Sequence, residues 1–120
     1  MKLFRSFIYA WSGIKNCFAS ETNFKIHFVI TIAVITLGFL LHVSNSEWLV
    51  ITVCIAFVMA MEMINTAIEK LCDVVQPEIH PGIKKVKDIA AGAVLLAALG
   101  SLIVAAVIFL PKIILFIKSL

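Results

Sequence analysis

Four residues in one stretch of this chain could do chemistry together: Glu62, Asn65, Glu69 and Asp73, in EMINTAIEKLCD. Their spacings of 3, 4 and 4 residues put all four on one face of a helix. The ladder follows a long apolar run from Trp48 to Met61. At ~1.5 Å per residue from Trp48, Glu62 lies roughly 21 Å along, inside a hydrocarbon layer ~30 Å thick. Glu69 at ~31 Å and Asp73 at ~37 Å reach the far interface or pass it. A carboxylate at membrane depth costs ~2.5–3.5 kcal/mol by insertion scales, so it usually serves a site. The ladder thus leads from lipid to water.

Further candidates on the watery side are Glu21, Glu78, His80, Lys87 and Asp88. Neither a P-loop (GxxxxGK[ST]) nor GxGxxG is present, which excludes the two common phosphate cradles. Carboxylates with an amide and few histidines favour a hard cation such as Mg²⁺ over zinc. Magnesium is usually held by one or two carboxylates completed by nucleotide phosphates. The residues alone therefore fit a nucleotide-using enzyme at a membrane surface, and equally a proton relay.

The elements that must position these groups are helical and membrane-embedded. The chain has 120 residues, 62% of them hydrophobic, and a mean hydropathy of +1.12. This predicts an all-α integral membrane protein forming a single membrane domain over residues 1–120, with no separate soluble domain. Residues 2–19 read as an amphipathic helix in the interface plane: Leu3, Phe4, Phe7, Ile8, Trp11, Ile14 and Phe18 form one face, opposite Lys2, Arg5, Tyr9, Ser12 and Asn16. Three spans follow at 24–42, 47–73 and 88–110. The turn HVSNSE separates the first two, with Ser46 as the expected cap of the second helix. Pro77, Pro81 and Gly82 break the 74–87 connection, and Pro111 is expected to end the third span. His27, close to the start of the first span, is placed near the lipid head groups.

Lys2, Arg5, Lys15 and Lys25 precede or open the first span, and Lys70, Lys84, Lys85 and Lys87 flank the second connection. The first connection has no Lys or Arg. By the positive-inside rule the N-terminus and the 74–87 loop face the cytoplasm across the cytoplasmic (inner) membrane, and the C-terminus lies outside. The ladder then opens toward ATP. The net charge of +3 is spread beside the spans, favouring anionic head groups and phosphates over nucleic acid as partners. Cys17, Cys54 and Cys72 form no CxxC pair and read as reduced apolar residues. Ala93, Ala97, Ser101 and Ala105 recur every fourth residue, a spacing that allows close helix approach in lipid. Three short spans can hardly shield several ionisable groups alone, so an oligomer is expected.

ETNFKIH at 21–27, EMINTAIEKLCD at 62–73 and HPGIKKVKDIAAGAVL at 80–95 resemble the small prokaryotic diacylglycerol kinase family, which includes undecaprenol kinases. The resemblance spans nearly the whole chain, and its central motif, E-x-x-N-x-A-I-E-x-x-x-D, is long. It implies a homotrimer of three-span subunits that transfers the ATP γ-phosphate to the hydroxyl of a membrane lipid, either diacylglycerol or undecaprenol. On matching positions it implies Glu62 as general base, with Asn65 orienting its neighbours. Glu21 and Glu69 would hold Mg²⁺. Tyr9, Asp73, Glu78, His80, Lys87 and Asp88 would line the nucleotide pocket with Glu21 and Glu69, and Ala91 would join Glu62 at the lipid. Two positions depart from the best-known members: Ile79 replaces a Tyr and Ala91 a Ser, which bears on adenine and acceptor contacts.

Blander readings stand beside these. Glu62 could be a structural carboxyl between helices, while Glu21 and Asp88 could simply cap helix starts. Tyr9 could be an interfacial belt residue. The rival from another class is a small oligomeric transporter or proton channel using Glu62. Such a path would keep polar residues along its whole length, yet Trp48 to Met61 and Ile89 to Leu110 of span three lack a charge.

Overall fold

A computed structural model describes all 120 residues. It contains four helices: α1 (Lys2–Ser20), α2 (Thr22–Leu40), α3 (Asn45–Val75) and α4 (Pro81–Lys118). The last three are each long and apolar enough to cross a membrane. The protein is thus an all-helical integral membrane protein of three spans and an N-terminal helix. The apolar face of α1, including Leu3, Phe4, Phe7 and Trp11, is uncovered by protein, as a helix lying on lipid requires.

α1 stops where Glu21 adopts an extended conformation, φ −110° and ψ 113°. Phe18 then packs edge-on against Phe24 and Phe28 of α2, with centroids 6.4 and 5.2 Å away. α2 ends in a Schellman turn: the Val43 amide donates to the Gly38 carbonyl (3.2 Å) and the His42 amide to that of Phe39 (3.4 Å). His42 occupies the left-handed position of this turn at φ 53°. Gly38 is required by a close approach, because a Cβ there would meet the Trp48 ring at 2.5 Å.

Ser44, not Ser46, caps α3. The Glu47 amide donates to Ser44 Oγ (3.2 Å), and the Ser44 amide donates back to Glu47 Oε1 (2.9 Å), a reciprocal capping box. Serine at this position outcompetes Ser46 because only Ser44 has an acid three residues on. The second connection is shorter than its prolines suggest. His80 caps α4 by accepting from the Gly82 amide at 3.0 Å, and Pro81 occupies the first helical turn, where its missing N–H costs nothing. Pro111 does not end α4, which continues to Lys118. Lys112 reaches Glu47 at 3.1 Å and Ile113 packs on the core beside it. Both ties favour continuation, and prolines are tolerated within membrane helices.

The tightest packing is between α3 and α4. Val43, Ile51, Ile108 and Phe109 form a buried cluster at the end where α3 begins. Only 13 of the 120 residues are buried, so lipid or further copies of the chain must cover most of the apolar surface.

Candidate functional site

At the other end of the bundle, the ladder of α3 is the line along which the remaining helices meet it. Glu62 is 4% exposed. His27 of α2 brings its Nε2 to 3.0 Å from Glu62 Oε1, so its side chain faces the buried carboxylate. The sequence held a signal for this contact: a lone ionisable residue within an apolar span needs a partner at its own depth. Thr66, one turn beyond Glu62, is also buried and faces Cys17 of α1.

One turn nearer water, Asn65 Nδ2 donates to Glu69 Oε1 at 3.2 Å. Asn65 Oδ1 is buried and has no hydrogen-bond partner. An orphaned acceptor of this kind marks a place where a donor is missing. Asp73 Oδ1 accepts from Lys87 Nζ of α4 at 2.6 Å. This bond holds the Lys87 ammonium above its ordinary range, with Asp73 as the main cause and the nearby Glu69 adding to it. Lys87 therefore arrives as a cation already shared with one carboxylate.

Glu21, in the break between α1 and α2, is half-buried. Its amide donates to the Cys17 carbonyl at 2.9 Å; burial pushes the Cys17 thiol up and the Glu21 charge adds to this, while Lys70 and Thr66 of α3 oppose it. Asp88 is paired with Lys84 at 2.6 Å on an exposed face of α4. Tyr9, Glu78, His80 and Ala91 are exposed. No hydrogen bond or ion pair joins Tyr9, Glu78 or His80 to the ladder within one chain. The structure thus aligns Glu62, Asn65, Glu69 and Asp73 on one face of α3, with Lys87 paired to the last of them, and leaves Tyr9, Glu78, His80 and Ala91 exposed.

No group of three or more His, Cys, Asp or Glu side chains converges to hold a metal. Glu69, the orphaned Asn65 Oδ1 and the half-buried Glu21, which no contact joins to the other two, are hard oxygen donors. That set fits a divalent cation completed by phosphate oxygens better than a closed protein cage.

From His27 a cleft of about 360 Å³ runs between α2, α3 and α4. Its walls are mainly apolar, including Val34, Ile55, Val58 and Phe109, with Thr31 and Ser101 as further polar residues. Thr31 spends its hydroxyl on the His27 carbonyl at 2.8 Å.

Comparison with known proteins bears on this arrangement. Residues 8–109 match the family profile described as prokaryotic diacylglycerol kinase. The chain is 40% identical over 111 residues to an undecaprenol kinase of Bacillus subtilis, covering 92% of this chain and 90% of that protein. It is 43% identical over 107 residues to a diacylglycerol kinase of Synechocystis, covering 88% of this chain but 61% of that longer protein. A diacylglycerol kinase of Helicobacter pylori is 35% identical over 96 residues, 79% of this chain and 74% of that protein.

Proposed function

Because the chain belongs to the prokaryotic diacylglycerol kinase family and is a membrane lipid kinase, we propose that it transfers the γ-phosphate of ATP to a lipid alcohol, with Glu62 as the base. The observation that carries this reading is a carboxylate 4% exposed within a helix long and apolar enough to cross a membrane, on the same helix face as the acids Glu69 and Asp73. The acceptor is diacylglycerol or undecaprenol, each of which presents a hydroxyl just below the head groups. Its oxygen attacks the γ-phosphorus, the bond to the ADP oxygen breaks, and the hydroxyl proton passes to Glu62.

Phosphoryl transfer needs little covalent help, so positioning and charge carry most of the effect. Glu62 in the lipid and Glu69 two turns outward straddle the level at which a γ-phosphate would sit. Glu69 and Glu21 are the proposed Mg²⁺ ligands, and Asn65 fixes the Glu69 carboxylate by its amide. Bound Mg²⁺ would neutralise the phosphate oxygens. Lys87 would exchange its bond to Asp73 for, or share it with, a phosphate oxygen. Tyr9, Glu78, His80 and Asp88 would surround the nucleotide, and Ala91 would border the acceptor. The site faces the cytoplasm, with the N-terminus inside, as the Lys and Arg distribution implies. A homotrimer would cover the apolar surface that one chain leaves open.

The test is radiolabelled ATP supplied to purified protein in lipid micelles with diacylglycerol and undecaprenol side by side. Labelled lipid is expected, and it should vanish in Glu62→Gln while ATP binding persists. No label in either alcohol refutes the kinase reading. Activity within a few-fold of wild type in Glu62→Gln refutes the base.

A further inference from the structure

His27 has no part in the scheme above, yet it is the side chain that pairs with the proposed base from another helix. Resting on the lipid-kinase reading, we infer that His27 is a positioning residue for the reaction: it holds one oxygen of Glu62 and so presents the other to the acceptor hydroxyl. The geometry is asymmetric in the required way. His27 Nε2 stands 3.0 Å from Oε1, with side-chain exposures of 22% for His27 and 6% for Glu62. No protein group bonds Oε2, and it is not among the fully enclosed unpartnered atoms. A carboxylate with one oxygen fixed and the other open has one productive rotamer, whereas an unheld glutamate deep in a span has several.

The rest of the local structure isolates this role. The other polar side chains of the apolar part of α2 are Thr31 and Thr36, and both donate to carbonyls of their own helix at 2.8 Å. They cannot substitute for His27. The imidazole also forms the inner wall of the apolar cleft between α2, α3 and α4. His27 is thus the cleft residue that borders Glu62, which itself does not line the cleft. The water-facing members of the ladder have their own partners, Asn65 for Glu69 and Lys87 for Asp73, so Glu62 depends on α2 alone.

The experiment uses the full-length protein in lipid micelles with two variants. His27→Leu removes the imidazole nitrogen facing Oε1 at similar bulk, and His27→Gln places an amide N–H near the position of Nε2. Misplacing a reacting group by about 1 Å can cost ~10²-fold, so His27→Leu should lower kcat by ~10–100-fold with the KM for ATP unchanged. His27→Gln should recover to within about threefold of wild type. The pair is also read without turnover. With three histidines in the chain, ¹⁵N-histidine-labelled protein gives a resolvable His27 signal, identified by its loss in His27→Gln. That signal should shift in Glu62→Gln.

Wild-type kcat in His27→Leu, equal losses in both variants, or a His27 signal indifferent to Glu62→Gln each overturn the assignment while leaving the kinase reading intact. A wild type that labels no lipid alcohol overturns the kinase reading and this assignment with it.

Discussion

Replacing Gly38 by alanine should destabilise the protein even though alanine is the better helix former. Gly38 lies in the last turn of α2, and a Cβ added there meets Trp48 Cη2 at 2.5 Å, Cζ2 at 3.0 Å and Cζ3 at 3.1 Å. Carbon atoms rest at about 3.5–4.0 Å, so the ring must retreat by about 1 Å. It is not free to do so: Phe39 lies against it with centroids 4.8 Å apart, and the indole packs onto the Val43–Ile51–Ile108–Phe109 cluster. Overpacking of this kind costs ~1–3 kcal/mol. The helix-propensity gain of alanine over glycine offsets ~1 kcal/mol of that, leaving a net loss of about 1 kcal/mol. Gly13→Ala is the control, since nothing lies within 4 Å of a Cβ there. It should gain up to ~1 kcal/mol from propensity alone. Unfolding in SDS–lipid mixed micelles, followed by Trp48 fluorescence in a Trp11→Phe background, measures both. Gly38→Ala matching the stability gain of Gly13→Ala, with unchanged Trp48 emission, would refute the close approach of α2 to α3.

Further outcomes are expected elsewhere. His42→Gly should stabilise by about 0.5 kcal/mol, because the left-handed position at φ 53° strains a residue with a Cβ; the same micelle titration reads it, and a loss of stability would speak against the turn. The Lys87 ammonium is held above its ordinary range by Asp73, so its stabilising contribution is complete below the unfolded lysine value. That contribution is lost as pH rises through the higher folded value. Wild type should therefore lose stability more steeply than Lys87→Met above about pH 10.4, and parallel pH profiles would reject the coupling. Glu69→Ala should raise the Mg²⁺ concentration needed for half-maximal phosphorylation and weaken ATP binding; an unchanged titration would remove Glu69 from the metal site.

The ladder was legible in the sequence because a helix turns one-dimensional spacing into a face, and because an acid in an apolar run marks itself. Glu62, Asn65 and Glu69 need no tertiary information to be grouped. The partners of the ladder do, since His27 lies 35 residues before Glu62 and Lys87 lies 14 after Asp73. Their meeting depends on how α2 and α4 lean on α3. Local rules sometimes held a clearer signal than the first apolar residue: Ser44-x-x-Glu47 is a capping box, and it outranks Ser46. Pro111 shows the opposite case. Its local rule is real, but the Lys112–Glu47 contact and the apolar run beyond it decide the outcome.

The two ion pairs between α3 and α4 have a mechanical consequence. Glu47 meets Lys112 at one end and Asp73 meets Lys87 at the other. The pairs span about 39 Å along α3 and about 38 Å along α4, counted at 1.5 Å per residue. The two helices are pinned at matching intervals, like a plank fastened at both ends. While both pairs hold, the second one resists the pivoting of α4 on α3 that a single pair would leave free; loss of the Lys87–Asp73 pair to a phosphate would release that restraint. α2 joins this frame through far fewer contacts, and α1 through fewer still. α3 and α4 thus form the firmest part of the bundle, against which α1 and α2 rest more loosely.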